Sequence, residues 1–220
     1  MTDFAKRTSL DALRADYRRA ELDEAHCETN PIEQFEKWFI EAQVADLKEP
    51  NAMCLATATT DGRPSNRVVL LKEVGELGFV FYTNYESRKG QEIKTNPWCA
   101  LTFYWAELER QVRVEGRAEA VSREKTAAYF RTRPRGSRLG ALVSRQSAVL
   151  PSREPLERRL AELEVQYLGS DDIPVPERWG GYAVRPETIE FWQGRTNRLH
   201  DRIRYQINGE DGWVVERLSP

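Results

Sequence analysis

The C-terminal part of the chain contains residue types that suit a planar, anionic ligand. It reads Glu-Phe-Trp-Gln at residues 190–193 and, after four further residues, Arg-Leu-His-Asp-Arg at residues 198–202. Because side chains alternate along an extended strand, Arg198, His200 and Arg202 are predicted to share one face. Two guanidiniums and an imidazole in one row, near Trp192, would suit an anionic ring. An antiparallel strand with a charged solvent face has the same pattern, so this stretch alone leaves both interpretations open.

A second stretch combines cations with a predicted helix start. Ser87 follows a predicted strand and precedes Arg88 and Lys89, so it is expected to cap a helix that carries two cations in its first turn. Cations are mildly unfavourable at that end of a helix, whereas the free backbone amides there favour an anion. The pattern therefore indicates a phosphate site.

A third stretch is basic and ends at a proline. Tyr129 and Arg133 are four residues apart, so they share a helix face if the helix continues to Pro134. A phenol, a guanidinium and the hydroxyl of Ser137 would make a phosphate clamp. A solvated basic helix end has the same composition, because arginines suit helix C-termini.

An apolar strand carries one cation at each end, Arg67 and Lys72. Their separation of five residues places the two side chains on opposite faces of a regular strand. The two side chains are therefore not expected to contact the same ligand atoms unless a bulge or strong twist lies between them. Taken alone, this stretch is more typical of a buried strand than of a site.

Together these stretches resemble the pyridoxamine 5'-phosphate oxidase family, FMN-dependent enzymes that make pyridoxal 5'-phosphate. The resemblance runs in order from Asn51 to Pro220, with a looser N-terminal part, and its C-terminal signature is specific. It implies FMN as the cofactor. The residues it implies for FMN binding are Arg67, Val68, Val69, Leu70, Lys72, Tyr82, Thr83, Arg88, Lys89, Gln111, Gln146, Ser147, Trp192 and Arg202.

The resemblance also implies a substrate site. Its residues are Arg14, Tyr17, Lys72, Tyr129, Arg133, Ser137, Arg198, Leu199 and His200, and Ala15 departs from the arginine that is common in the family. Arg198 and His200 are the expected catalytic residues, which position the pyridine ring as a hydride leaves. His200 has an alternative interpretation as a structural histidine that orients Asp201.

The implied reaction joins two phosphorylated ligands in one pocket. A hydride passes from the 4'-carbon of pyridoxamine 5'-phosphate or pyridoxine 5'-phosphate to the flavin, and O2 then reoxidises the flavin and yields H2O2. The amine substrate also releases ammonia. The resemblance implies a homodimer with FMN at the subunit interface, where Gln146 and Ser147 come from the other subunit. A flavoprotein that reduces another acceptor, and a carrier that has lost catalysis, are the competing hypotheses.

Composition narrows the classes of function. The 220 residues are 40% hydrophobic and 31% charged, as in ordinary globular proteins, and the net charge of −2 argues against nucleic-acid binding through bulk charge. No apolar run approaches the length of about 20 residues that spans a bilayer, and the N-terminus lacks a secretory signal, so a cytoplasmic protein is expected. Three cysteines without paired spacing and two histidines indicate neither disulfides nor a metal site.

The elements that must position these residues are mixed. Helices are predicted from Ser9 to Tyr17, from Asn30 to about Ala42, from Ser87 to Asn96, from Ser122 to Thr132 and from Arg153 to Tyr167. Strands are predicted at residues 52–60, 64–74, 79–82, 98–105, 111–121, 182–184, 188–192, 198–206 and 213–218. This order favours an α+β class with a closed or nearly closed barrel. The resemblance specifies an FMN-binding split barrel, antiparallel and Greek-key-like with peripheral helices, at residues 51–220, preceded by a helical segment at residues 1–50.

Overall fold

The computed structural model describes residues 16–209 and 212–220. The predicted helix from Ser9 lies mostly outside the described residues, as does Arg14, while Tyr17 lies in a stretch without regular structure. The prediction of a separate segment at residues 1–50 stays a prediction.

Helices and strands alternate irregularly along the chain, which confirms the α+β class. The helices are α1 (Pro31–Val44), α2 (Arg88–Thr95), α3 (Arg123–Thr132), α4 (Arg135–Val143) and α5 (Glu154–Gln166), with short 3-10 turns at Glu24–His26, Ala106–Leu108 and Thr196–Arg198. The strands are β1 (Ala52–Ala58), β2 (Pro64–Leu70), β3 (Glu73–Gly75), β4 (Gly78–Asn84), β5 (Trp98–Trp105), β6 (Arg110–Ala120), β7 (Trp179–Gln193), β8 (Asp201–Ile207) and β9 (Trp213–Arg217). None of the helices in the described part of the chain is long and apolar enough to cross a membrane.

Side-chain caps begin three of the helices. The Asn30 carboxamide oxygen accepts from the backbone N–H of Ile32, and Pro31 occupies the first turn of α1. Ser87 caps α2 and Ser122 caps α3 through their hydroxyl oxygens, as the sequence predicts. These starts are local features, so they follow from a few neighbouring residues.

The chain forms two compact units. The larger unit consists of residues Lys48–Phe103 and Arg113–Ile189. Its strands follow the order β2-β1-β5-β6-β7-β4-β3, in which β1 pairs antiparallel with β2 and β5, and β4 pairs antiparallel with β3 and β7. Leu55, Phe79, Phe81 and Phe103 are fully buried in this unit.

Among the described residues, the smaller unit consists of residues 16–47, 104–112, 190–209 and 212–220. In it β8 pairs with β7 and, antiparallel, with β9. Its core is aromatic: Phe191 makes edge contacts with Trp38 on α1, at 5.2 Å between ring centroids, and with Tyr205 on β8, at 5.6 Å.

Two strand predictions need correction. The predicted strand at residues 64–74 is two strands, because β2 ends at Leu70 and the chain then changes partner. The backbone N–H of Leu71 donates to Asn51 in the turn before β1, whereas that of Lys72 donates to Val80 on β4. The predicted strands at residues 182–184 and 188–192 are instead one strand, β7, which continues through Pro186.

The predicted row of Arg198, His200 and Arg202 on one strand is wrong. Arg198 ends a 3-10 turn in which Asn197 and Arg198 have φ of 57° and 60°, and β8 begins only at Asp201. Positive φ at two successive non-glycine residues makes a tight turn, so the alternation of an extended strand does not apply here.

The basic stretch around Pro134 also differs from the prediction. Helix α3 ends at Thr132, and Arg133 is extended with φ −73° and ψ 146°, as expected for a residue that precedes proline. Tyr129 and Arg133 therefore do not share a helix face. A further helix, α4, begins at Arg135, which the sequence analysis did not predict.

Candidate active site

A pocket of about 720 Å³ opens in the larger unit, a volume in the usual range for small-molecule sites. It is lined by many of the residues predicted for FMN and substrate. The lining residues are Val68, Val69, Leu70, Lys72, Tyr82, Thr83, Asn84, Lys89, Tyr129, Thr132, Arg133, Pro134, Ser137, Gly140, Ala141, Ser144, Gln146 and Trp179.

Arg67 and Lys72 lie in different surroundings. The spacing argument for a regular strand does not explain this, because β2 ends at Leu70, before Lys72. Lys72 lines the pocket. The Arg67 guanidinium instead donates to the hydroxyls of Thr57 and Ser65, each at 2.5 Å, and lies 3.4 Å from the carboxylate of Glu92. Arg67 is thus fixed by a polar cluster next to α2.

Glu92 is the centre of that cluster, and the sequence analysis missed it. Its Oε2 accepts from Thr57 at 2.5 Å and Ser65 at 2.6 Å, while Oε1 accepts from Arg88 Nε at 2.9 Å. Burial alone would raise the pKa of Glu92, but the hydrogen bonds from Ser65, Thr57 and Arg88 together outweigh it and lower the pKa to about 2. The carboxylate is therefore ionised at neutral pH and links Arg67 to Arg88.

Lys89 lies in the first turn of α2 and is buried. Its ammonium donates to Thr83 Oγ1 at 3.3 Å and Gln146 Oε1 at 3.2 Å, both neutral oxygens. Burial, followed by the charge of Arg67, lowers the pKa of Lys89. A buried cation with neutral partners is a favourable place for an anion.

The predicted Gln146 and Ser147 pair lies against the same helix start. Ser147 Oγ accepts from the backbone N–H of Arg88 at 3.2 Å, which occupies one of the free amides there. Both residues make these contacts within one chain. The expected contribution from a second subunit stays a prediction.

Three aromatic rings stack along the pocket wall. Tyr82 and Tyr129 are 3.9 Å apart between centroids with an interplanar angle of 19°, and Tyr82 and Trp179 are 5.4 Å apart at 13°. Burial raises the pKa of Tyr82 to about 12, so its phenol is neutral at physiological pH. Trp179 carries no sequence signal that distinguishes it from an ordinary core tryptophan.

The Arg133 guanidinium packs against aromatic rings. Its guanidinium carbon lies 4.6 Å from the Trp179 centroid and 5.6 Å from that of Phe130. One terminal nitrogen, Nη1, is buried and has no hydrogen-bond partner in the described part of the chain. Tyr129, Arg133 and Ser137 all line the pocket, although not through the shared helix face that the sequence suggested.

A second group of predicted residues lies in the smaller unit. The Trp192 and His200 rings are 4.7 Å apart, and Tyr17 makes edge contacts with each of them at 5.7 Å. His200 Nδ1 accepts from the backbone N–H of Arg195 at 3.1 Å, so the neutral ring carries its proton on Nε2. Burial, with the nearby charge of Arg198, lowers the pKa of His200. The ring therefore presents a donor.

Other residues orient Asp201. Its carboxylate accepts from Arg195 Nη1 at 2.9 Å, Arg217 Nη1 at 2.8 Å and the backbone N–H of Leu22 at 3.1 Å. These bonds, with burial opposing them, lower the pKa of Asp201. The alternative role for His200, orienting Asp201, gains no support from this arrangement.

The remaining predicted residues of the smaller unit have mixed surroundings. Arg202 makes a bidentate pair with the buried Glu190, at 2.8 and 3.0 Å, so it is already held by a carboxylate. Gln111 lies half-buried on β6. Arg198 and Leu199 are exposed in and after the 3-10 turn.

The fold and the pocket define a class, the FMN-binding split-barrel proteins. A pyridoxamine 5'-phosphate oxidase-related, FMN-binding protein from Nostoc punctiforme superposes with a TM-score of 0.70 at 19% identity, covering 88% of this chain and 99% of that one. The family model for pyridoxamine 5'-phosphate oxidase matches residues 39–167, and that for the pyridoxine 5'-phosphate oxidase C-terminal dimerisation region matches residues 179–220. The chain belongs to the pyridoxamine 5'-phosphate oxidase family, a family of oxidoreductases.

Individual relatives agree with this assignment. The chain is 61% identical over 214 residues to the pyridoxine/pyridoxamine 5'-phosphate oxidase of Rubrobacter xylanophilus, covering 97% of this chain and 98% of the relative. Among solved structures it is similar to PhzG from Burkholderia lata, with a TM-score of 0.85, 34% identity and coverage of 90% and 98%. The resemblance stated from the sequence and the split-barrel fold it implied are both confirmed.

Proposed function

We propose that the chain is an FMN-dependent oxidase of pyridoxamine 5'-phosphate and pyridoxine 5'-phosphate in vitamin B6 biosynthesis and salvage. It uses O2 and forms pyridoxal 5'-phosphate and H2O2, with ammonia released from the amine. The observation that carries this proposal is one pocket with two sets of phosphate-suited donors. Lys89 belongs to the first set, and Tyr129, Arg133 and Ser137 form the second.

The first set fits the phosphate of FMN. Lys89 is a buried cation with neutral partners, and Arg67 and Arg88 lie beside it around Glu92. Three cations less one carboxylate leave a charge of +2, which balances a phosphate monoester of about −1.5 to −2. Val68, Val69 and Leu70 line the same pocket, and their backbone would serve the flavin ring.

The second set fits the substrate phosphate. Arg133 Nη1 is buried and has no hydrogen-bond partner among the residues that the structure describes, so none of these residues occupies its N–H groups. We propose that they bind the substrate phosphate. Lys72 lines the same pocket and adds a further charge. Bound FMN would accept a hydride and pass its electrons to O2, so the protein contributes binding, orientation and charge.

Arg198 and His200 are proposed to position the pyridine ring. His200 offers an Nε2–H donor, because Arg195 occupies Nδ1. Positioning of this kind accounts for large rate effects without a strong general base. The match to a C-terminal dimerisation region supports a homodimer. We propose that FMN lies at the subunit interface, and we expect the enzyme to act in the cytoplasm.

The test uses the purified protein saturated with FMN. Pyridoxamine 5'-phosphate is added without oxygen, and the visible absorbance of the flavin is followed. Bleaching, then pyridoxal 5'-phosphate and peroxide when air enters, is the expected result. A flavin that stays oxidised with both the amine and the alcohol ester would refute the oxidase and favour the carrier.

One variant separates catalysis from cofactor binding. Arg198→Ala should lower kcat by at least tenfold, since it removes a positioning guanidinium, while the Kd for FMN changes less than threefold. Unchanged turnover would remove Arg198 from the mechanism. Arg204→Ala serves as the matched control, because Arg204 pairs with Glu216 within the β8–β9 hairpin.

A further inference from the structure

We propose that Trp179 is a positioning residue for the substrate phosphate. It holds Arg133 and Tyr129 in the orientation that binds a phosphate monoester. This inference rests on the proposed function, because it assumes that Arg133 and Tyr129 bind that phosphate.

The contact between Trp179 and Arg133 leaves hydrogen-bond donors free. The guanidinium carbon lies 4.6 Å from the indole centroid, and Nη1 is buried with no hydrogen-bond partner within residues 16–209 and 212–220. A carboxylate that fixed Arg133 would take up its N–H groups and cancel its charge. An aromatic face attracts the cation without occupying its N–H groups and without cancelling its charge. Arg133 is therefore held in place and still able to form a two-point bond to a phosphate.

The same indole also sets the plane of Tyr129. Trp179 and Tyr129 are nearly parallel, at 8° and 6.2 Å between centroids, and Tyr82 stacks on both rings. Because the rings lie face to face, tilting one of them would push against the others. The Tyr129 hydroxyl thus keeps a direction fixed by packing.

Trp179 is itself rigid. It is 7% exposed and packs in a cluster with Phe130 and Leu139, where the Phe130 ring meets its edge at 5.1 Å. Its backbone is bound at both groups: the N–H donates to Pro176 O at 3.0 Å, and the carbonyl accepts from Arg123 at 2.7 Å. A fixed platform is what a positioning residue requires.

The test compares Trp179→Leu, which removes the ring, with Trp179→Phe, which keeps a smaller one. A cation–π contact contributes about 0.5–2 kcal/mol, which converts to about a 2- to 30-fold change in affinity. We expect Trp179→Leu to raise KM for pyridoxamine 5'-phosphate, and Kd for pyridoxal 5'-phosphate measured by equilibrium titration, by about that factor. Trp179→Phe should recover only part of the loss, because Trp is the best aromatic partner for a cation. In both variants kcat and the Kd for FMN should change less than threefold.

Unphosphorylated pyridoxamine separates positioning from general damage. Its KM should not move in Trp179→Leu, since it has no phosphate for Arg133 to bind. Equal losses for pyridoxamine and its phosphate ester would overturn the inference and leave Trp179 as a core residue. Trp98→Leu is the matched control, because Trp98 also carries a cation–π contact, with Arg117 at 5.3 Å, but lies outside the pocket.

A double-mutant cycle identifies the partner and remains available if Trp179→Leu fails to fold. If Trp179 acts through Arg133, the effect of Trp179→Phe on the Kd of pyridoxal 5'-phosphate should be smaller in an Arg133→Ala background than in wild type, and only the part that acts through Tyr129 should remain. Additive effects would refute the coupling. If the wild-type protein itself neither oxidises the phosphate esters nor binds pyridoxal 5'-phosphate, the proposed function fails instead.

Discussion

Replacing Glu92 by glutamine should remove a large, pH-dependent part of the stability. The pKa of Glu92 falls from its ordinary value of 4.5 to about 2 in the folded chain. A shift of this size corresponds to about 3 kcal/mol, by the conversion of about 1.4 kcal/mol per pKa unit. Because the folded pKa is lowered, this stabilisation is present above the unfolded pKa and is lost as the pH falls toward the folded pKa.

The assay is urea unfolding at a fixed protein concentration, from about pH 7 down to about pH 3. The free energy of unfolding of wild type should fall steeply below about pH 5. That of Glu92→Gln should be lower than wild type by about 2–3 kcal/mol at about pH 7, and it should fall less steeply as the pH is lowered. Glu154→Gln is the control. Glu154 is exposed and pairs with Arg158 at 3.4 Å on the surface of α5, so its loss should cost less than about 0.5 kcal/mol.

Parallel pH profiles for wild type and Glu92→Gln would refute the reasoning. They would mean that the hydroxyls of Thr57 and Ser65 and the guanidiniums of Arg67 and Arg88 do not favour the ionised carboxylate. A steeper fall in Glu92→Gln than in wild type would be equally contrary, since the glutamine has no proton to take up.

Two further predictions concern single side chains of the site. The ring of His200 should show a protonated Nε2 and an unprotonated Nδ1 in nitrogen NMR near pH 7, because the backbone N–H of Arg195 donates to Nδ1. The reverse tautomer would contradict the proposed role of His200 as an Nε2–H donor. Lys89→Met should raise the Kd for FMN about 10- to 100-fold, which is the effect of losing a charge-assisted hydrogen bond. Lys94→Met, on the exposed side of the same helix, should leave the Kd for FMN within twofold of wild type. Equal affinities of the two variants for FMN would exclude Lys89 from the phosphate site.

The sequence predicts the elements whose signals are local. Ser87 and Ser122 lie directly before α2 and α3, and their hydroxyls cap those helices because the cap needs only the next three residues. The limits of β5 are also correct, since its alternation of buried and exposed residues is short-range. The family resemblance adds the remaining predicted site residues, whose roles the spacing alone left ambiguous.

The misses have two physical causes: an unusual backbone conformation in one case, and dependence on distant parts of the chain in the other. Arg198 was expected on a strand, but its turn needs positive φ at two residues, a conformation that local propensity does not favour. Glu92 resembles a solvated helix residue in the sequence. Its burial depends on Thr57 and Ser65, which lie 35 and 27 residues away along the chain.

The net charge of the chain does not show that its basic side chains have two kinds of partner. Arg202 and Arg217 are each held by carboxylates, from Glu190 in the first case and from Glu24 and Asp201 in the second, so their charges are used inside the fold. Lys89 and Arg133 are held by neutral oxygens and by aromatic rings. Those contacts fix a cation without cancelling it, so a chain of net charge −2 still presents positive charge in its pocket. Whether a basic side chain is held by a carboxylate or by neutral groups therefore indicates, better than the number of basic residues, which side chains are suited to an anionic ligand.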